Sequence, residues 1–227
     1  MERFKKIFAA GVIFVTVLSM SVVVAPEAGA AASAGDLIKM AGLSSVYYLA
    51  SDGKRYVFPN ESTYFSWYSD FSSVVTIPQS ELESYPLGKN VTVRPGTKLV
   101  KITTNPKVYA VTANGTLVGI PSEAVAATLF GANWNKRVID VSDAFFTNYT
   151  TSSATVSATA YPQGSLVKFG TSADTYLVNA DGTVSKIATE AAFVANRFKW
   201  ADVVTATIAK PTEGSAIAGA VATLTDT

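Results

Sequence analysis

Lys107-Val108-Tyr109-Ala110-Val111-Thr112-Ala113-Asn114-Gly115-Thr116-Leu117-Val118-Gly119-Ile120-Pro121-Ser122-Glu123 decides the fold. Its first six residues are rich in β-branched and aromatic side chains, which predicts a strand. Asn114-Gly115 supplies two residues that tolerate positive φ, the requirement of a tight type I′ turn. Leu117–Ile120 then returns as a second strand. Ser122 is an N-cap residue and Glu123 suits the positive end of a helix dipole, so a helix is expected to start there.

The same order occurs three times. Leu37-Ile38-Lys39, Leu99-Val100-Lys101 and Leu166-Val167-Lys168 open the copies, roughly 62 and 67 residues apart. Tyr47, Tyr109 and Tyr176 each stand six residues before Gly53, Gly115 and Gly182. Phe58, Ile120 and Ile187 follow five residues after those glycines, and Glu61, Glu123 and Glu190 three residues later. Each copy then has a large aromatic, Phe71, Trp134 or Trp200, ahead of a valine-rich strand. A repeated unit of this kind suits a scaffold or a binding array, because each copy must pack on its neighbours.

These offsets predict an α+β fold of three repeated β-hairpin–helix–strand modules, mainly antiparallel. Residues 35–92, 93–161 and 162–209 are the expected modules, and residues 210–227 a linker or strand remnant. A two-residue turn would place Tyr47 opposite Phe58, Tyr109 opposite Ile120 and Tyr176 opposite Ile187, all facing the core. Asp52 and Asp181 fit turn chemistry. A bound-calcium reading is the other choice, and Asn114 at the same place favours the turn. Asn60, Ser122 and Thr189 are the expected N-caps. Tyr64, Trp67, Tyr68 and Phe71 follow helical spacing and read as core. Trp134 and Trp200 are expected to anchor each helix on its sheet.

Residues 1–30 read as a signal peptide. Arg3, Lys5 and Lys6 precede an apolar run from Ile7 to about Val24, and Ala28-Gly29-Ala30 is a small-residue cleavage site. The run is also long enough for an N-terminal anchor. Removing these residues leaves 15 basic residues (18 less Arg3, Lys5 and Lys6) and 15 acidic ones (17 less Glu2 and Glu27). That balance gives no footprint for nucleic acid, and no membrane contact is expected after cleavage. The chain has no cysteine and no histidine. It therefore lacks a disulfide framework, thiolate chemistry, the Ser-His-Asp arrangement and the commonest zinc ligands. No catalytic residue, metal ligand or cofactor is expected. Carboxylates leave an acid-pair hydrolase as a third-ranked reading.

Asn60, Asn90, Asn114 and Asn148 each sit in an Asn-x-Ser/Thr triplet. Tyr48 and Arg55 depart from the repeat, since Ala110 and Leu177 occupy the place of Tyr48. The expected register puts Tyr48 and Arg55 together on the outer hairpin face. They are the candidate ligand- or partner-binding residues, because an aromatic beside a forked cation suits a protein contact or a sugar.

Val46–Asn60, Asn90–Ile102 and Asp140–Tyr149 resemble repeat modules of secreted, S-layer-like surface proteins of reduced-genome bacteria. The resemblance covers most of residues 35–170 and implies export to the cell surface and no known catalytic residues. Tyr47-Tyr48 before Asp52-Gly53 is also similar to cell-wall-binding repeats, although those are hairpins alone and these modules carry a helix. The expected function is that of a non-enzymatic, secreted structural or adhesive protein. It would act by self-association or envelope attachment, with itself or other envelope proteins as partners. The alternative is a cell-wall glycan-binding module that uses exposed aromatics.

Overall fold

The computed structural model describes residues 31–225; the expected signal peptide lies outside them. The fold is α+β, with three sheets built on one plan. In the first, β1 (Leu37–Met40), β2 (Tyr47–Leu49) and β3 (Arg55–Val57) run antiparallel in turn. Helix α1 (Glu61–Trp67) carries the chain back to β4 (Val74–Ile77), which pairs parallel to β1. A short helix, α2 (Gln79–Ser84), then leads to β5 (Leu87–Asn90), parallel to β3. The second sheet repeats this with β6 (Leu99–Ile102), β7 (Val108–Thr112), β8 (Thr116–Gly119), α3 (Glu123–Phe130), β9 (Val138–Val141), α4 (Asp143–Phe146) and β10 (Thr150–Thr155). The third has β11 (Leu166–Phe169), β12 (Tyr176–Val178), β13 (Val184–Lys186), α5 (Glu190–Ala195) and β14 (Val204–Ala206). A last helical turn, α6 (Ala222–Thr225), ends the described chain.

Helices α1, α3 and α5 start where their caps predict. Asn60 Oδ1 accepts from Thr63 N at 2.8 Å, Ser122 Oγ from Val125 N at 3.3 Å, and Thr189 Oγ1 from Ala192 N at 3.0 Å. Each bond satisfies one of the free N–H groups of a first turn, and the following glutamate complements the dipole.

The hairpins differ from expectation by one residue. Tyr47 pairs with Val57, Tyr109 with Gly119 and Tyr176 with Lys186. The loops have three residues, not two. In the first module Ala50 N donates to Lys54 O and Gly53 N to Ala50 O, and Gly53 takes φ +76°. In the third, Asn179 N donates to Thr183 O, Gly182 N to Asn179 O, and φ of Gly182 is +81°. A left-handed glycine in third place closes this loop and adds the extra residue. Asp52 and Asp181 accept from the amides two residues on, at 3.0 Å each. Asn114 and Gly115 are both left-handed, at φ 57° and 65°, as a type I′ turn asks, yet the ladder keeps the shifted register.

Strands β5 and β10 complete the first two sheets at their edges. They hold their places through one ladder each and bury little side chain, so no apolar alternation marks them. In the third module no such strand forms. The chain after Lys210 lies there instead, with Val184 N donating to Thr212 O and Ile217 N to Lys186 O.

Both faces of each sheet are covered. One face of the first sheet packs Leu37, Tyr48 and Phe58 on Tyr64 and Trp67 of α1. The other packs Ile38, Leu49 and Ile77 on Leu82 of α2. The second sheet uses α3 and α4 in the same way. The third module has no second short helix, and α3 of the second module takes that role. Leu129 and Phe130 pack against Val167, Tyr176 and Val178, on the face that α2 and α4 cover elsewhere. Thr207 Oγ1 donates to Thr128 O at 2.9 Å along the same seam. One helix thus serves two sheets, and the second and third modules share a core.

The segment between the first two sheets is also buried. Val91 joins the core of the first module and Val93 that of the second. Gly96 and Gly164 meet backbone to backbone where the second and third modules begin. A Cβ on Gly96 would fall 2.0 Å from the carbonyl carbon of Gly164, and both residues have positive φ.

Candidate functional site

The structure separates Tyr48 from Arg55. Tyr48 pairs with Tyr56, is 5% exposed and packs in the core under α1. Arg55 pairs with Leu49 on the opposite face, and its guanidinium lies 5.1 Å from the centre of the Tyr47 ring. The one-residue slip causes this, since strand residues alternate faces. The expected outer patch of an aromatic and a cation therefore does not form.

A second correction concerns the recurring aromatics. Phe71 is 49% exposed and Trp200 55%. Trp134 is half-buried, in a 3₁₀ turn ahead of β9. Phe71 stacks on Tyr64 of α1 with ring centres 4.4 Å apart, and Trp200 on Phe193 of α5 at 4.1 Å. Each thus covers a buried aromatic and presents its other side outward. Lys168 Nζ stands 5.1 Å from the Trp200 ring. Lys101, Thr104, Asn105 and Asn135 surround Trp134 in a shallow hollow of about 490 Å³.

Most of the cations near the centre have structural work. Arg94 is 5% exposed, between the rings of Trp67 and Phe198, at 5.3 and 5.0 Å. Its Nη1 donates to Arg197 O at 2.6 Å and its Nη2 to Asn196 O at 2.7 Å. Burial, aided by the Arg197 charge, pulls its pKa down to about 10, while Asp202 acts the other way. Lys199 donates to Tyr68 O at 2.7 Å and to Phe65 O, and burial lowers its pKa. Asp202, 3% exposed, takes Lys98 at 3.1 Å, and its carbonyl accepts from Arg137.

A broad concavity lies where the three modules meet. It is a cleft of about 730 Å³. Lys89 and Asn90 come from β5, Asn114 from the second hairpin loop, Asn148 and Thr150 from the entry to β10, and Asn179 from the third hairpin. Trp67 and Tyr56 supply aromatic surface. Among the described residues no aspartate or glutamate lines it, and Lys89 is its one charged residue. Several amides are already engaged. Asn148 Oδ1 accepts from Asn90 N at 3.4 Å, Gln163 Oε1 from Ala113 N at 3.4 Å, and Asn179 Nδ2 donates to Thr183 and Ser185 hydroxyls at 2.9 Å. The side chains of Asn90, Asn114 and Lys89 make no hydrogen bond to the described residues. Three of the four asparagines that stood out in Asn-x-Ser/Thr triplets meet here. Their shared location was hidden in the sequence because each belongs to a different element.

Among the described residues no three of Asp and Glu cluster as metal ligands, and no helix is long and apolar enough to cross a membrane. The cleft offers hydrogen bonds and aromatic surface, with no paired carboxylates. No family model matches the chain, and no curated protein or solved structure does so.

Proposed function

We propose that this is an exported, non-enzymatic cell-surface protein that acts by attachment to the envelope. The observation that carries the reading is an aromatic at one place in every module, exposed in Phe71 and Trp200 and half-buried in Trp134. Phe71 and Trp200 each cover a buried ring with one side and leave the other to solvent, and aromatics repeated along the chain give a multivalent contact. The test is co-sedimentation of the exported protein with purified cell wall. Phe71→Ser with Trp200→Ser should lower the bound fraction several-fold while the fold persists by circular dichroism. Equal sedimentation of variant and wild type would reject the reading.

Self-association is a second reading, and the edge of the first sheet favours it. Strand β4 has no charged residue, and its Val75 is 47% exposed. The matching strand β9 carries Asp140, paired with Lys101, a charge that discourages edge-to-edge pairing. Light scattering and electron microscopy of the exported protein, with and without calcium, would show ordered assemblies that Val75→Lys abolishes. A monomer at all concentrations would end this reading.

A further inference from the structure

We infer that the cleft between the three modules is a binding site for a neutral polysaccharide segment. The inference deepens the attachment reading and rests on it for the source of the ligand. Four features of the cleft select that chemistry. Its volume of about 730 Å³ is that of a ligand site and exceeds what packing defects leave. Among the described residues its lining has no carboxylate and one lysine, so these offer no counter-charges to a metal ion or a polyanion. Its polar groups are mainly amides and hydroxyls, Asn90, Asn114, Asn148, Gln163 and Asn179 among them, which both donate and accept. Sugar hydroxyls do the same, so the Asn90 and Asn114 amides can each take two partners on one ring, while Asn148 and Asn179 are held by bonds within the fold. Finally, the half-buried ring of Tyr56 gives apolar surface for the C–H face of a pyranose, beside the buried Trp67.

The unpaired side chains carry the argument furthest. Asn114 is exposed at the tip of the second hairpin, in a left-handed conformation at φ 57°. Glycine fits that backbone equally well, so the turn does not require an amide there. Asn90 holds its place in β5 through its backbone, which bonds Asn148 and pairs with Val57. Neither side chain is needed by the fold, and both border the same space from different modules. Trp67 is held by its Nε1 bond to Thr92 O at 2.8 Å and by Arg94 above its ring, so that wall of the cleft is rigid before ligand arrives. An extended peptide could instead pair with the edge of β5 or β10 beside the cleft, so a neutral hexapeptide is the control ligand.

The test is calorimetric titration of the exported protein with chitohexaose, cellohexaose and maltohexaose, and with a neutral hexapeptide. At least one of the three sugars should bind saturably. Asn90→Ala with Asn114→Gly should weaken that sugar by about tenfold or more, the scale of two lost neutral hydrogen bonds, at an unchanged melting temperature. The same double variant is then sedimented with purified cell wall. Weaker sugar binding together with weaker wall binding supports the inference. No saturable sugar binding, equal affinity in the double variant, or binding of the peptide alone overturns it. Wall attachment by wild type and double variant alike, with no sugar bound, removes the cleft and leaves the attachment reading standing. Sugar binding that fails in the double variant, in a protein that never sediments with wall, keeps the cleft and removes the attachment.

Discussion

The guanidinium of Arg94 donates to the carbonyl oxygen of Arg197 at 2.6 Å, so a side chain leaving the first module closes a helix end in the third. Helix α5 ends with its last carbonyls lacking intrahelical partners, and the dipole makes that end negative. Arg94 answers both needs with two bonds, to Asn196 and Arg197. Ser66 Oγ of α1 accepts from Arg94 N at 2.9 Å, so one residue touches two modules and the segment between them.

Arg94→Met is therefore expected to destabilise the protein by about 3 kcal/mol, since two charge-assisted bonds to buried carbonyls are lost. Arg94→Lys should recover only a minor part, because an ammonium cannot fork to both oxygens. Urea unfolding measures this. A change under about 0.5 kcal/mol for Arg94→Met would show that the junction does not depend on the guanidinium.

Tyr48 and Arg55 separate two accounts of the first hairpin. Tyr48→Ala empties a core position under α1 and should cost about 3–5 kcal/mol. Arg55→Ala loses a half-buried contact with the Tyr47 ring and should cost roughly 1 kcal/mol. Denaturant melts of the single variants check both. Equal and small losses would place Tyr48 on the surface.

The phenol of Tyr149 predicts the alkaline limit of stability. Burial pushes its pKa up to about 12, against an ordinary 10.0, although its oxygen accepts from Val93 N at 2.9 Å. The folded state thus keeps a proton that the unfolded chain releases above pH 10. The contribution of Tyr149 should be level below about pH 10 and fall between 10 and about 12, against an opposite contribution from Arg94, whose pKa burial lowers to about 10. Tyr64, raised by burial to about 12, adds to the same fall. Tyr149→Phe should be less stable at pH 8, having lost the acceptor for Val93, and lose less stability than wild type between pH 10 and 12. An unchanged slope in the variant would remove Tyr149 from this account.

What the sequence disclosed was local chemistry. Ser122 with Glu123, and its two counterparts, announced helix starts because capping is settled within one turn. Asn114-Gly115 announced a reversal for the same reason. The register was not legible, because Gly53 and Gly182 fit the second place of a two-residue loop and the third place of a three-residue loop equally well. That one-residue difference moved Arg55 to the face of Tyr47. The double duty of α3 was hidden, since Leu129 looks like any core residue until a second sheet arrives on its far side. Gly35, Gly96 and Gly164, each shortly before the opening leucine and each at positive φ, were a fourth recurring signal. The cleft drew one or two residues from each of many elements, and no spacing rule collects those.

Arg197 gives the sharpest backbone test. It sits just past the end of α5 with φ 55°, where glycine is usual. Phe198 N reaches back to Phe193 O at 3.1 Å and Arg197 N to Val194 O at 2.8 Å, which is the Schellman closure of a helix. A left-handed residue with a Cβ is strained by roughly 1 kcal/mol. The side chain offsets some of that strain, because its guanidinium lies 4.6 Å from the centre of the Tyr68 ring. Two substitutions separate these effects. Arg197→Ala keeps the strain and loses the ring contact, so it should be less stable than wild type by up to about 1 kcal/mol. Arg197→Gly loses the same contact and the strain together, and should exceed the alanine variant by about 1 kcal/mol. Thermal and urea melts of the three proteins give the ranking. Alanine at or above glycine would mean that this helix does not end in a left-handed residue.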